Sequence, residues 1–369
     1  MLFDKLRRVT SATRYLPFID GLRFFAILPV VLVHTVDFYE AHAFKISDTA
    51  LYKNIHLASI IGNADTSVLL FFMISGFILG MPFARGYMGK MPLRGLKNYY
   101  LRRLTRLEPP YLLLLTLLFI LNVYLLHNFS FEALFPHYVA SFFYVHDIVY
   151  KSHSFLNFVF WSLEIEVQFY LLAPLLVAVF KLKPLYRRLI LLAAILVFSV
   201  FNSLYRMPFL SIINYLQFFL AGFFVLDIYL TTRRQGSVVF DLLATVFFLL
   251  FWTSTVTREA MILPFLLMAF FLTVIHSKVW VKILSVPSIA IIGGMCYSIY
   301  MIHYPVMVFV MNRLRLLTPF FDNFYADFFI KLLLCLLAVG LAGATYFVVV
   351  EKPFMKWKLK TAQRDQQKV

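Results

Sequence analysis

The sequence predicts an all-α fold, a polytopic transmembrane helical bundle of about ten spans with both termini in the cytoplasm. Of its 369 residues, 62% are hydrophobic and only 14% are charged, whereas soluble domains are about 45–50% apolar and about 25% charged. Apolar runs at 111–126, 189–200 and 330–350 approach the length that crosses a hydrocarbon core of about 30 Å. A water-soluble fold would leave much of this apolar surface exposed.

Windows of about 19 residues locate the predicted spans. No low-complexity linker or soluble appendage separates them, so one integral membrane domain covers residues 1–369, with cytoplasmic tails over 1–18 and 352–369. The stretch 138–149 is apolar but short, which predicts a re-entrant or interfacial segment. The predicted spans cover residues 22–38, 66–82, 110–127, 158–180, 187–203, 211–230, 238–254, 260–277, 289–312 and 327–350.

The distribution of basic residues supports this topology. With the N-terminus in the cytoplasm, the predicted inner segments hold 25 Lys and Arg residues and the outer loops hold seven. This bias follows the positive-inside rule. It also accounts for the net charge of +16, because basic residues on the cytoplasmic face meet anionic lipid. The bilayer, and not nucleic acid, is the partner that the charge predicts.

Two of the ionisable residues in the first predicted span share a helix face. A charge at mid-membrane costs at least about 2.5–3.5 kcal/mol, so each one needs a reason. Arg23 and His34 are eleven residues apart, which places them on nearly the same helix face, about 16 Å apart along the axis. Taken alone, Arg23 fits an interfacial anchor whose charge extends to water, and His34 fits a hydrogen-bonded interior histidine.

The second predicted span adds a small pair, and the segment just before the third predicted span adds a basic pair. Ser75 and Gly76 lie at mid-depth, where small residues usually serve close helix packing. Arg103 and Arg106 share one helix face by their i, i+3 spacing. They fit the positive-inside bias, and they also fit a fork-like clamp for phosphates, which guanidinium groups suit.

The fourth predicted span opens with Trp161 and contains Glu164 and Glu166. The two acids point to roughly opposite faces because they are two residues apart. Glu166 reaches a depth similar to that of His34. A carboxylate in hydrocarbon is expected to be neutral or paired, so one of these acids is expected to face a polar cavity. Trp161 is typical of an aromatic belt at the membrane interface.

The ninth predicted span carries Tyr297 and His303, a further intramembrane ionisable group. Together with Trp161 and Glu164, these residues are predicted to line a polar cavity in the outer half of the membrane, with a basic mouth on the cytoplasmic side. A histidine and a carboxylate of matched depth suit general-base chemistry on a hydroxyl, since imidazole titrates near neutrality. The chain has two cysteines, and no spacing typical of a metal site appears.

In this order, the motifs resemble those of the acyltransferase-3 family of integral membrane O-acyltransferases, which acylate surface carbohydrates. Many members have two adjacent acids in the fourth motif, whereas here Val167 takes the second position and Glu164 occurs earlier. The matching motifs are Arg23-x10-His34, Phe71-Phe-x-x-Ser75-Gly76-Phe77, Arg103-x-x-Arg106, Trp161-Ser-Leu-x-x-Glu166, Tyr297-Ser-Ile-Tyr-x-x-His303-x-Pro and Glu351-Lys-Pro.

The resemblance implies an enzyme of the bacterial inner membrane that moves an acyl group, acetyl in the first instance, from cytoplasmic acyl-CoA to a hydroxyl of a cell-surface or lipid-linked carbohydrate. Acyl-CoA is then a co-substrate, with no permanently bound cofactor. The chain resembles the stand-alone form, without a fused extracytoplasmic hydrolase-like domain.

The same resemblance implies roles for individual residues. Arg103 and Arg106 would bind the donor with help from Arg23, and its thioester would lie close to the backbone around Ser75 and Gly76. His34, oriented by Glu166, would act as base on the acceptor hydroxyl or briefly carry the acyl group.

A membrane transporter or exporter of an acylated or anionic metabolite remains the alternative. It explains the spans, the basic mouth and the buried histidines equally well. Many transporters have inverted repeats with Gly- or Pro-broken helices at matching positions, and inspection of this sequence shows no such match. Dependence on acyl-CoA turnover separates the two functions.

Overall fold

The computed structural model describes residues 5–8, 15–41, 64–92, 95–205, 207–233, 236–253, 261–316 and 324–355. Over these residues the chain is helical and contains no strand, which confirms the predicted fold class. Most of the stretch 39–65 between the first two predicted spans, and most of the C-tail predicted over 352–369, lies outside the described residues. The cytoplasmic placement of the two termini stays a prediction.

The helices are numbered here in chain order. Proline within or beside several of them marks where a backbone N–H is missing from the helical ladder. Short π-helical turns at Leu121–Leu125 and Phe347–Glu351 extend α3 and α14, and short 3₁₀ turns at Phe158–Phe160 and Val177–Lys181 flank α6. The helices are α1 (Pro17–Ala41), α2 (Ala64–Tyr87), α3 (Leu96–Ile120), α4 (Phe131–Phe142), α5 (His146–Tyr150), α6 (Trp161–Leu176), α7 (Pro184–Leu204), α8 (Ile212–Thr231), α9 (Val238–Thr253), α10 (Leu263–His276), α11 (Val279–Leu284), α12 (Pro287–Gly294), α13 (Cys296–Leu316) and α14 (Phe324–Tyr346).

The described part of the chain has seven helices that are long and apolar enough to cross a membrane, or up to eight if the pair α12 and α13 is one span bent by 69°. Two more of the predicted spans are the shorter apolar helices Val238–Trp252 and Leu263–His276. Every predicted span therefore coincides with a helix, while the count of about ten crossings stays a prediction. The stretch predicted to be re-entrant or interfacial, 138–149, forms the end of α4 and most of α5.

Close packing at the centre of the bundle depends on two glycines at the crossing of α2 and α8. A Cβ added to Gly76 would lie 2.2 Å from the carbonyl oxygen of Phe219. A Cβ added to Gly222 would lie 2.2 Å from the carbonyl oxygen of Met73. Small residues allow helix backbones to approach this closely, so Gly76 serves the packing function that its position at mid-span favours.

We expect Gly222→Ala to destabilise the bundle by about 1–3 kcal/mol, because the added methyl group forces two helix backbones apart. Gly340→Ala is the matched control, since a Cβ at Gly340 would meet nothing within 4 Å. Thermal unfolding of both variants in detergent measures the effect. An unchanged unfolding temperature for Gly222→Ala would contradict the close approach of α2 and α8.

Several buried charges away from the predicted cavity are paired. Asp227 of α8 is fully buried and binds Arg187 and Arg188 of α7, with 2.6 Å between its Oδ2 and Arg188 Nε. Asp327 and Lys331 of α14 form a buried pair with 2.6 Å between Nζ and Oδ2. Because burying one charge without its partner is strongly destabilising, these pairs are assigned to the stability of the helix bundle.

Candidate active site

A cavity of about 90 Å³ lies among α1, α2, α3, α6 and α13. Its wall is mostly apolar in α2, where Val68, Phe71 and Phe72 contribute, and mixes apolar with polar and charged side chains in the other helices. The structure thus brings together residues that are far apart in sequence and were predicted as site residues. Those that line the cavity are Arg23, Ser75, Arg103, Arg106, Glu166 and Tyr297.

Arg103 reaches the cavity from α3 between two aromatic rings. Its guanidinium carbon is 6.0 Å from the ring centroid of Tyr99 and 5.7 Å from that of Tyr170. Such contacts hold a cation without neutralising its charge. Its Nε is buried without a hydrogen-bond partner, and Arg103 forms no ion pair within the described part of the chain. The charge of Arg103 is therefore available to an anionic ligand.

Arg106 forms an ion pair with a residue near the end of the described part of the chain. Its Nη2 lies 3.7 Å from Oε1 of Glu351, which is fully buried in the π turn after α14. The hydroxyl of Ser298 in α13 donates to the other oxygen of Glu351 at 2.6 Å. This network joins Arg106 to Glu351 and Ser298, which belong to two of the sequence motifs, and the sequence alone assigned neither contact.

Arg23 also has a carboxylate partner that the sequence analysis did not single out. Its Nη1 is 2.5 Å from Oδ1 of Asp20, one helical turn earlier, and Arg8 Nη1 lies 3.2 Å from the same oxygen. Asp20 is buried, and Gly293 of α12 packs against its backbone. The i, i+3 spacing of Asp20 and Arg23 was the available signal. Arg23 thus belongs to a buried ion-pair cluster at the cavity and is not a snorkelling anchor.

Ser75 and Glu166 meet across the cavity, where the hydroxyl of Ser75 donates to Glu166 Oε1 at 2.6 Å. Gly76 lies on the other face of α2, against the backbone of α8, and does not line the cavity. Of the two acids in α6, the one facing the cavity is Glu166.

Glu164 has a different environment. Its two oxygens accept the backbone N–H groups of His146 and Asp147, at 3.2 Å and 3.1 Å, at the start of α5. Glu164 is buried there and is not part of the cavity lining. Trp161 also lies outside the lining, with its ring 5.4 Å from that of Tyr215. Glu164 and Trp161 therefore stabilise the start of α6 and the segment that leads into it.

His34 pairs with His303 outside the cavity lining. The two rings stack with centroids 5.5 Å apart and planes 28° apart. His303 is fully buried, and its Nδ1 lies 2.7 Å from the carbonyl oxygen of Tyr300. Because a carbonyl only accepts, Nδ1 carries the proton and Nε2 keeps its lone pair. That Nε2 is buried without a hydrogen-bond partner.

Tyr300 connects the histidine pair to the cavity. It lines the cavity, and its ring centroid is 5.4 Å from that of His303. Its hydroxyl lies 2.6 Å from Ser162 Oγ and donates to the carbonyl oxygen of Val159 at 3.0 Å. The site therefore has two parts, an arginine-lined cavity and a stacked histidine pair, with Tyr300 between them.

Comparison with known proteins agrees with these motifs. The family model of the acyltransferase-3 acyltransferase domain matches residues 16–350. The O-acetyltransferase OatA of Staphylococcus aureus strain NCTC 8325 is 27% identical over 357 residues, covering 84% of this chain and 53% of the relative. A putative O-acetyltransferase of S. aureus strain COL is 25% identical over 391 residues, covering 94% of this chain and 58% of the relative.

The chain spans a little over half the length of these curated relatives. No solved structure gives a significant match. The family match covers nearly all of the described helices and includes every residue of the cavity lining. The chain belongs to the acyltransferase-3 family of membrane proteins.

Proposed function

We propose that the protein transfers an acetyl group from cytoplasmic acetyl-CoA to a hydroxyl of a cell-surface or lipid-linked carbohydrate, in the bacterial inner membrane. Family membership supports acyl transfer, and two relatives named O-acetyltransferases support acetyl as the group. The observation that carries the donor assignment is the cavity with Arg103 and Arg106 in its wall. Guanidinium groups suit the phosphates of CoA.

The two-part geometry favours a long donor. Arg23 and His34 are eleven residues apart on α1, about 16 Å along the helix axis. In acetyl-CoA the phosphates and the thioester occupy opposite ends of a flexible pantetheine arm. A donor of this shape can hold its phosphates at the arginines while its thioester reaches past Tyr300 toward His34. A compact anion would contact the arginines of the cavity and would not reach His34.

The proposed reaction begins when His34 removes the proton from the acceptor hydroxyl. The hydroxyl oxygen then attacks the thioester carbonyl, the new C–O bond forms, and the C–S bond breaks. The CoA thiolate leaves and takes up the proton. His34 must be neutral to act as base.

Glu166 is proposed as a positioning residue for the acyl end of the donor. Its hydrogen bond to Ser75 fixes that hydroxyl in the cavity wall, close to where the thioester would pass. Direct orientation of His34 by Glu166 stays a prediction.

Glu166→Gln is expected to lower kcat about tenfold or more while the KM for acetyl-CoA changes little. The amide keeps the size of the side chain but removes the negative charge, so it replaces a charge-assisted hydrogen bond from Ser75 with a weaker neutral one. Steady-state transfer measured against acetyl-CoA concentration separates the two constants. Glu132→Gln is the matched control, because Glu132 lies exposed on α4. A raised KM with unchanged kcat would place Glu166 in donor binding instead.

The function itself is tested with purified protein in liposomes and acetyl-CoA labelled on its acetyl group. Label that appears on a glycan fraction, together with released CoA, supports acyl transfer. Labelled acetyl-CoA that crosses the membrane intact, with no CoA released, would support the transporter alternative and overturn the proposal.

A further inference from the structure

A cluster of rings continues from the histidine pair to the side of the bundle opposite Arg23. The ring of Phe158 is 6.0 Å from that of His34 and 5.8 Å from that of Tyr304. On its other side, Phe158 is 4.5 Å from the ring of His153, which in turn is 6.1 Å from that of Trp161. We call His153, Phe158, Trp161 and Tyr304 the outer ring cluster.

A buried carboxylate fixes the orientation of His153. Its Nδ1 lies 2.9 Å from Oδ1 of Asp147. An ionised carboxylate only accepts, so Nδ1 donates this hydrogen bond and Nε2 is the ring nitrogen left for another partner. Glu164 binds the backbone N–H of Asp147, which holds this pair in place. Glu164 therefore caps the start of α5 and, by holding Asp147, also helps to orient His153.

Part of the outer ring cluster is accessible. The side chain of His153 is 32% exposed, and Phe158 is 39% exposed. His153 Nε2 makes no hydrogen bond within the described ranges of the chain. Here an exposed aromatic face lies beside a polar group of fixed orientation, and the same rings lead inward to His34.

We propose that the outer ring cluster binds the carbohydrate acceptor, an inference that rests on the proposed acyl transfer. A pyranose ring of the glucose type has flat C–H faces that pack on aromatic rings, while its equatorial hydroxyls point outward to polar partners. Phe158 and Tyr304 supply the aromatic faces, and His153 Nε2 accepts a hydrogen bond from one hydroxyl. Another hydroxyl of the same sugar is then directed toward His34.

The chemistry of the cluster disfavours other occupants. A lipid tail would gain nothing from a histidine oriented by a carboxylate. An anionic ligand would meet the negative charge of Asp147, and the arginines lie on the other side of Tyr300. A neutral, hydroxyl-rich ring uses both the aromatic faces and the hydrogen-bond acceptor.

The test uses the whole protein in nanodiscs and two soluble probes, cellotetraose and chitotetraose, which are chains of glucose-type rings. Saturation-transfer NMR gives the Kd of each probe for wild type, Phe158→Leu and His153→Gln. Phe155→Leu and His127→Gln are the controls, because both residues are exposed on the same side and lie outside the cluster. Consumption of acetyl-CoA is measured on the same samples.

We expect the Kd of at least one probe to rise about three- to tenfold in Phe158→Leu and in His153→Gln, and to stay unchanged in both controls. Leucine keeps apolar volume without the ring, so the loss reports on stacking and not on folding. The proposal is overturned if neither probe binds wild type at about 10 mM, or if both variants bind like wild type.

The proposed acyl transfer and the proposed sugar site can be contradicted independently. If the probes bind as expected while acetyl-CoA is never consumed with any acceptor, the proposed function fails and the sugar site stands. If acetyl-CoA is consumed and the variants bind like wild type, the sugar site alone fails.

Discussion

His34→Ala should reduce acyl transfer by about 10²–10⁴-fold, the usual contribution of a general base. The lost group is the imidazole that stacks on His303, on the side of Tyr300 away from the arginine-lined cavity. Because the donor phosphates are proposed to bind at that cavity, the KM for acetyl-CoA should change little. The loss should appear in kcat.

Two further variants define what such a loss means. His127→Ala is the control, since His127 lies exposed after the π turn of α3. His303→Ala removes the stacking partner and should lower kcat less than His34→Ala, because the base itself remains. Transfer by His34→Ala at the wild-type rate, with normal folding, would remove His34 from the mechanism. Equal losses in His34→Ala and His303→Ala would indicate that the two histidines act as one unit.

Several residues of the cavity wall were selected from the sequence by two different rules. Glu166 was selected because a carboxylate within a predicted span is costly and needs a partner, and Arg103 and Arg106 were selected because guanidinium groups at i, i+3 spacing suit phosphates. All three line one cavity. Helix periodicity sufficed to place each residue on a face of its own helix. It could not pair the faces of different helices, and the contact of Ser75 with Glu166 and that of Arg106 with Glu351 are of this kind.

The environments of the two acids in α6 show the limit of periodicity. Their spacing placed Glu164 and Glu166 on different faces, but it did not say which face was the cavity. The answer depends on a segment far outside the helix, because Glu164 caps the short helix α5 through the N–H groups of His146 and Asp147. Hydropathy marked this segment only as too short to span.

The outer ring cluster also could not be predicted from the sequence. Asp147 lies in the short helix α5 and His153 in the turn that follows it, and hydropathy does not indicate that the two side chains meet. Their pairing across six positions is set by the turn after α5 and not by a regular period. The rings of Phe158 and Tyr304 come from different elements and meet only in the folded chain.

Arg103→Ala should raise the concentration of acetyl-CoA needed for half-maximal rate about 10- to 100-fold, because a hydrogen bond to a charged group contributes about 1.5–3 kcal/mol. Arg103 is a better probe of donor binding than Arg106. Removing Arg106 would leave the fully buried Glu351 without its cation, a loss that destabilises a fold by about 3–5 kcal/mol. Arg103 contacts the rings of Tyr99 and Tyr170. Within the described residues it forms no ion pair with a buried carboxylate, so its removal leaves no such charge without a partner.

Acetyl-pantetheine, which carries the thioester without the CoA phosphates, distinguishes phosphate binding from a general defect. If Arg103 binds a phosphate, Arg103→Ala should use acetyl-pantetheine as well as wild type does, although it uses acetyl-CoA poorly. Arg103→Lys should fall in between, because lysine keeps the charge and loses the planar fork. Lys97→Ala, an exposed change on the same helix, should match wild type with both donors. Equal impairment of Arg103→Ala with the two donors would mean that Arg103 supports the cavity and does not contact the donor phosphates.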